Sequence, residues 1–307
     1  MTSPQHDLEP RPEYADRVRA ILQATADGAA ATRTAEEGDA GAGETETLQL
    51  FLLDGLLEAV EWANEGVAAD EAACMWLAGL RWFKVATGSF PAGAPEPLPR
   101  WIDHELDSAG SLAGADPQNL VALARSEMAS TGRPAFPTAD GPGVLPRAAA
   151  MALLPRVDED MTARLSTDAA ALTHGSPAAH RAAGLAGRAV RAGLDLGSQA
   201  PARWAELLQE TGNDDGAALA ALRSALAAAL EQLASGETGS EPGTEPATAV
   251  VQRLGPDADP DTAGFAAALV ASAVGYQRDT HLQPSATGPV IQAMHRRWVT
   301  AVLGTAP

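Results

Sequence analysis

Apolar residues recur at intervals of three and four along most of the chain, and no stretch alternates with period two for long enough to make a strand. In RVRAILQATADGAAA (17–31) Val18, Ile21 and Leu22 keep helical spacing. The same period predicts helices over 47–66, 69–87 and 117–129, with a Pro-rich passage from Phe90 to Trp101. From Arg147 onward it predicts helices near 147–154, 158–171, 177–195, 200–210, 215–235, 247–254, 262–277 and 287–302. The segment TLQLFLLDGLLEAVEWANEG stands apart, because Leu48, Leu50, Phe51, Leu52, Leu53, Leu56 and Leu57 cover every face of two turns. A helix apolar on all sides belongs in the middle of a fold. The pattern therefore predicts an all-α protein. It also predicts a disordered tail over residues 1–16 and a flexible loop, SGETGSEPGTEP, near 235–246.

Composition refines the interior. Apolar residues make up 46% of the chain but aromatics only 4%, and alanine dominates after residue 148. Such a core consists of closely approaching helices, not of stacked rings. The formal charge of −19 opposes a phosphate backbone and argues against nucleic acid as a partner. An anionic small ligand would need a local device, a metal ion or a helix N-terminus, to offset that field. Cys74, the only cysteine, forms no internal disulfide and reads as a small buried hydrophobe. Residues 1–15 are polar and Pro-rich, and no uninterrupted apolar run looks long enough to span a bilayer, so the expectation is a soluble, cytoplasmic protein with no membrane partner.

Two short segments carry candidate chemistry. In DPDTAG, Asp259 is placed to be an N-cap, Pro260 takes the first helical position, and Asp261 puts negative charge in the first turn. Asp259, Asp261 and Thr262 are equally a hard oxygen set suited to Mg²⁺ or Mn²⁺. Glu44, Thr45 and Glu46 repeat that logic at the entry to the most apolar helix. Spacing alone leaves capping and metal binding both open. Elsewhere Trp76 and Trp82 read as packing, His281 and His295 as surface residues, and Asp214–Asp215 as the cap of the helix that follows.

LTHGSPAAHRAAGLAG (172–187) resembles a segment of the ADP-ribosylglycohydrolase family in which a Leu-Thr-His turn opens a helix of small residues. Further resemblances follow in the family's order. RAILQATADGAAA is similar to its first helix, with Asp27 at the acid position. GETETLQLFLLDGLLEAVEWANEG resembles its Thr-Asp-Asp-Thr metal motif, GPGVLPRAAAMALLP its Gly-rich loop, and DPDTAG its Asp-x-Asp-Ser/Thr motif. The resemblance spans residues 17 to 300. It implies a single-domain orthogonal helical bundle over 17–307, with a central cleft holding one or two Mg²⁺ or Mn²⁺ ions. The activity implied is hydrolysis of a ribosyl linkage in a small-molecule or ADP-ribosylated substrate. Under it Glu44, Thr45, Glu46, Asp259, Asp261 and Thr262 are metal ligands, and Glu44, Glu46 and Asp27 are candidate proton-transfer carboxylates. Gly141, Gly143 and Arg147 lie in the loop facing a diphosphate, and His174 lines the cleft. Arg147 as a solvated helix-start residue and His174 as a turn residue stand beside those roles.

The departures from the pattern bear on function. Thr45 replaces a carboxylate, and Glu46 is one methylene longer than aspartate, a shift Mg²⁺ tolerates poorly. Thr34 stands near the place of a catalytic acid. Pro142, Val144, Leu145 and Pro146 replace smaller or polar residues, which removes backbone donors and room for a diphosphate. Two outcomes follow: a divalent-metal hydrolase with an altered substrate, or a catalytically degenerate relative that binds a ligand or a protein partner.

Overall fold

The structure, a computed structural model, describes residues 9–33, 43–107, 117–235, 245–277 and 286–304. They form α1 (Tyr14–Ala30), α2 (Glu44–Asn64), α3 (Glu71–Thr87), α4 (Trp101–Asp107), α5 (Pro117–Leu123), α6 (Val144–Met151) and α7 (Glu159–Ala171). Then follow α8 (Pro177–Leu196), α9 (Ala200–Glu210), α10 (Ala217–Ser235), α11 (Pro246–Leu254), α12 (Pro260–Val274) and α13 (Gly288–Leu303). The fold is all-α; among the described residues no strand forms, and Ser130 and Arg133 make an isolated bridge.

Several boundaries differ from the sequence expectation. Order begins before residue 16, and residues 1–8 of the expected tail lie outside the described residues. Tyr14 opens α1, is 4% exposed, and donates its hydroxyl to the Leu153 carbonyl while accepting from Trp298 Nε1 at 2.8 Å. A single buried ring anchors a stretch whose polar, Pro-rich neighbours suggested disorder. Helix α4 was hidden because it is seven residues long and follows a run of prolines. Helix α6 begins three residues before Arg147, with Pro146 in its first turn, where a missing N–H costs nothing. The flexible loop near 235–246 falls mostly outside the described residues; Glu245 already caps α11 through the backbone N–H groups of Ala247 and Thr248.

Helix α12 sits at the centre, packed by α1, α6, α8, α10 and α11. Small residues set the spacing. A Cβ added to Gly264 would lie 2.7 Å from the Thr25 carbonyl oxygen, and one on Gly28 would lie 2.9 Å from Ala267 Cβ. Backbones of α1 and α12 thus approach to a distance that only glycine permits, which is how an alanine-rich core reaches normal packing density. The second buried helix, α2, packs on α3, α6 and α13. Gly55 of α2 faces the Cys74 carbonyl, and Cys74 itself is only half-buried, more exposed than the sequence implied. Trp82 is fully buried and donates to Thr47 at 3.0 Å, which ties α3 to the first turn of α2.

Helix α10 is by length and composition apolar enough to cross a bilayer, although Arg223 and Glu231 interrupt its apolar run. Here it packs against α8, α9, α11 and α12 and buries Leu219, Leu222 and Leu226, as a core helix does.

Candidate functional site

Two helix N-termini and one loop meet. At α12, Asp259 Oδ1 accepts from the backbone N–H groups of Asp261 and Thr262, each at 3.0 Å, and from the Thr262 hydroxyl at 3.3 Å. The capping reading of DPDT holds in full, and that oxygen is occupied by it. At α2, Gly43 precedes the helix without a side-chain cap, and Glu44, Thr45 and Glu46 are all buried in the first turn. The two ends touch where Thr45 Oγ1 donates to Asp261 Oδ2 at 3.3 Å. Gly143, one residue before α6, fits between them. A Cβ there would lie 3.3 Å from Asp261 Oδ2, 3.4 Å from Arg147 Nη2 and 3.8 Å from Thr45 Cγ2.

Glu46 turns elsewhere. Its Oε2 pairs with Arg33 Nη2 at 2.8 Å, and its Oε1 accepts from the Thr287 hydroxyl. Neither partner was singled out in the sequence. Arg33 follows α1 with no motif around it, and Thr287 precedes a Gly-Pro helix start; being the residue before a helix was the one visible signal.

Arg147 is fully buried, which rules out a solvated helix face. It donates through Nη1 to Thr173 Oγ1 at 2.5 Å and through Nη2 to Asn119 Oδ1 at 2.7 Å. Thr173 Oγ1 lies 2.9 Å from His174 Nδ1. Because Thr173 already accepts from the guanidinium, its own proton goes to Nδ1, and the ring carries its proton on Nε2. That edge faces Gly141, whose added Cβ would lie 3.3 Å away. Burial, then the charges of Arg147 and His180, pushes the His174 pKa down to about 3, so the imidazole is neutral at any ordinary pH. Gly141, Gly143, Arg147 and His174 therefore form one connected wall. Val144 and Leu145 are fully buried core residues. They do not narrow a phosphate path as the sequence suggested, because the early start of α6 turns them inward.

Asp27 is placed differently. It accepts from the Tyr276 hydroxyl at 2.8 Å and lines a half-open cavity of about 420 Å³ between α1, α11 and α12, walled by Ala24, Val251 and Pro256. None of Glu44, Thr45, Glu46, Asp259 and Asp261 lines that cavity. Thr34 and His281 lie outside the described residues. His295 is half-buried, not a free surface residue, and bonds the Ala15 carbonyl at 2.8 Å. The N-terminus of α10 is capped from outside its own segment. Asp140 accepts from the N–H groups of Ala217 and Ala218, while Asp214 serves only Gly216. That long-range cap ties the Gly141–Gly143 loop to α10.

A divalent ion does not fit this donor set. Among the described residues no three acidic, histidine or cysteine side chains come together as metal ligands. Both Glu46 oxygens are taken, one Asp259 oxygen serves the helix cap, and the hydroxyls of Thr45, Thr262 and Thr287 all point their protons at carboxylates.

An all-α protein with acid-and-hydroxyl segments opposed across two helix N-termini and a glycine loop beside them is the class these elements define. The chain belongs to the ADP-ribosylglycohydrolase family, whose model matches residues 10–295. Comparison with curated proteins finds no match. The family's reaction class is hydrolysis of glycosidic bonds in ADP-ribosylated substrates.

Proposed function

We propose that the chain hydrolyses a glycosidic bond at a ribosyl carbon, in an ADP-ribosylated protein or a ribosylated small molecule, at the junction of α2 and α12. The observation that carries this reading is the Thr45–Asp261 contact. It brings two acid-and-hydroxyl segments 216 residues apart to one point, beside a glycine loop, in a chain that belongs to a glycohydrolase family.

The reaction adds water across the bond: the ribosyl carbon takes hydroxide and the leaving group takes a proton. Carboxylates serve both halves, one steering or deprotonating water and one protonating the leaving group. Asp261 is half-buried at the helix mouth and its Oδ2 is oriented by Thr45, which suits it to the water or the ribose hydroxyls. Glu44 is buried in the first turn of α2 beside Thr45 and is the candidate for the second carboxylate role. Gly141 and Gly143 leave room for backbone approach to a ligand, and the buried Arg147 adds positive charge against an anionic group. No step is assigned to an ion.

The test is release of ADP-ribose or ribose from a panel of ADP-ribosylated proteins and N- or O-ribosides, by wild type and Asp261→Asn, with and without Mg²⁺. The expected result is release from at least one substrate, reduced on the order of 100-fold in the variant. No release from any of them overturns the reading.

A second reading is favoured by the Arg33–Glu46 pair: a relative that binds a ribosyl ligand or a protein partner without turnover. Saturable ADP-ribose binding by calorimetry with no product would select it.

A further inference from the structure

We infer that Arg33 is the site's built-in cation, a guanidinium that compensates the buried acids of α2 in the role a divalent ion would fill. The inference does not depend on whether hydrolysis occurs, and its readout is metal binding and folding, not turnover.

Glu44 and Glu46 lie two residues apart in one helical turn, 2% and 5% exposed. Two carboxylates held that far from water need positive charge close by, since the helix N-terminus supplies only a partial charge. Arg33 provides it at 2.8 Å from Glu46 Oε2, with its own side chain 14% exposed. A Cβ on Gly43 would lie 2.0 Å from Arg33 Nη2 and 2.7 Å from Cζ, so the guanidinium lies across the residue that precedes the acids. The Thr287 hydroxyl holds Oε1, so both Glu46 oxygens have partners. A guanidinium in this position and a divalent ion on Glu46 compete, because both seek the same carboxylate and their positive charges repel.

Full-length protein is stripped with EDTA and titrated with Mn²⁺ by calorimetry, and its thermal midpoint is read with and without the metal. Wild type and Arg33→Lys, which keep the charge, should show no saturable heat below millimolar Mn²⁺ and the same midpoint in EDTA and Mn²⁺. Arg33→Ala should melt lower in EDTA, recover in Mn²⁺, and bind the metal at least tenfold more tightly than wild type. The double variant Arg33→Ala/Glu46→Gln should stay folded and lose the metal response. Where Arg33→Ala alone does not fold, the double variant should, because it removes both charges together. Tight Mn²⁺ binding by wild type that is unchanged in Arg33→Ala overturns the inference. So does a double variant no better folded than the single one, because packing and not charge would then explain Arg33.

Discussion

The hydroxyl of Thr45, in the first turn of α2, donates to the Asp261 carboxylate in the first turn of α12 at 3.3 Å. The pair holds the two helix mouths together through one neutral donor and one charged acceptor. Replacing Thr45 with aspartate puts two carboxylates in that position, which at about 4 Å and an effective dielectric of ~20 repel by up to about 4 kcal/mol. Thr45→Asp should therefore lower the thermal midpoint in EDTA, and added Mn²⁺ should restore it by bridging the pair. Equal midpoints with and without metal would show that residues 45 and 261 do not share one position in solution.

Much of this arrangement could be read from the chain, and the reason differs by element. The burial of α2 was visible because its apolar residues cover every face, a property of sequence alone; the central place of α12 came only with the structure. The cap at Asp259 was equally local, since Asp-Pro-Asp-Thr is read by its own backbone. Pairings at long range were not legible. Arg33 meets Glu46 from 13 residues away, and Asp140 caps α10 from 77 residues away. Burial of Arg147 was not legible either, because its partners, Asn119 and Thr173, are uncharged side chains without a motif.

Glycines of equal size should respond differently according to what faces them. At Gly264 the nearest neighbour of an added methyl is backbone, the Thr25 carbonyl at 2.7 Å, so Gly264→Ala forces α1 and α12 apart. The expected cost is about 1–3 kcal/mol, read by chemical denaturation. At Gly143 the neighbours are the far ends of Asp261 and Arg147, which can yield by a few tenths of an ångström. Gly143→Ala should cost under ~1 kcal/mol yet weaken ligand binding or turnover. A Gly143 variant as unstable as the Gly264 variant would assign Gly143 to packing alone.

His174 makes stability depend on pH with a fixed sign. Its folded pKa is pushed down to about 3 by burial, then by Arg147 and His180, from a reference of 6.5. The unfolded chain therefore binds a proton that the folded chain refuses. Stability from this residue is complete above pH 6.5 and falls as pH drops toward 3, by about 1.4 kcal/mol per unit. Glu245 acts oppositely: burial raises its pKa to about 7, so its contribution is complete below pH 4.5 and is lost as pH rises through 7. His174→Gln should flatten the acid side of a plot of thermal midpoint against pH, and Glu245→Gln the neutral side. An unchanged acid limb in His174→Gln would mean that the ring is protonated in the fold.

Asp54 anchors the middle of α2, and its environment predicts a ranking of variants. Its fully buried carboxylate accepts from Arg81 Nη2 at 2.7 Å, from Arg100 Nε at 2.7 Å and from Trp101 Nε1 at 2.8 Å, so it joins α2 to α3 and α4. Removing it leaves Arg81, itself 1% exposed, with only the more distant Glu58 at 3.8 Å and Asp103 at 3.4 Å. A buried charge stripped of its main partner costs about 3–5 kcal/mol, which Asp54→Ala should show in denaturant unfolding. Arg100→Gln should cost less, about 1–2 kcal/mol, because Asp54 keeps Arg81 and Trp101 and because Arg100 is partly exposed. Asp54→Asn should fall between the two, since an amide keeps one acceptor but offers protons to donors. If Arg100→Gln proved the more damaging, the network would be held from its rim, and the position of α4 rather than of α2 would depend on it.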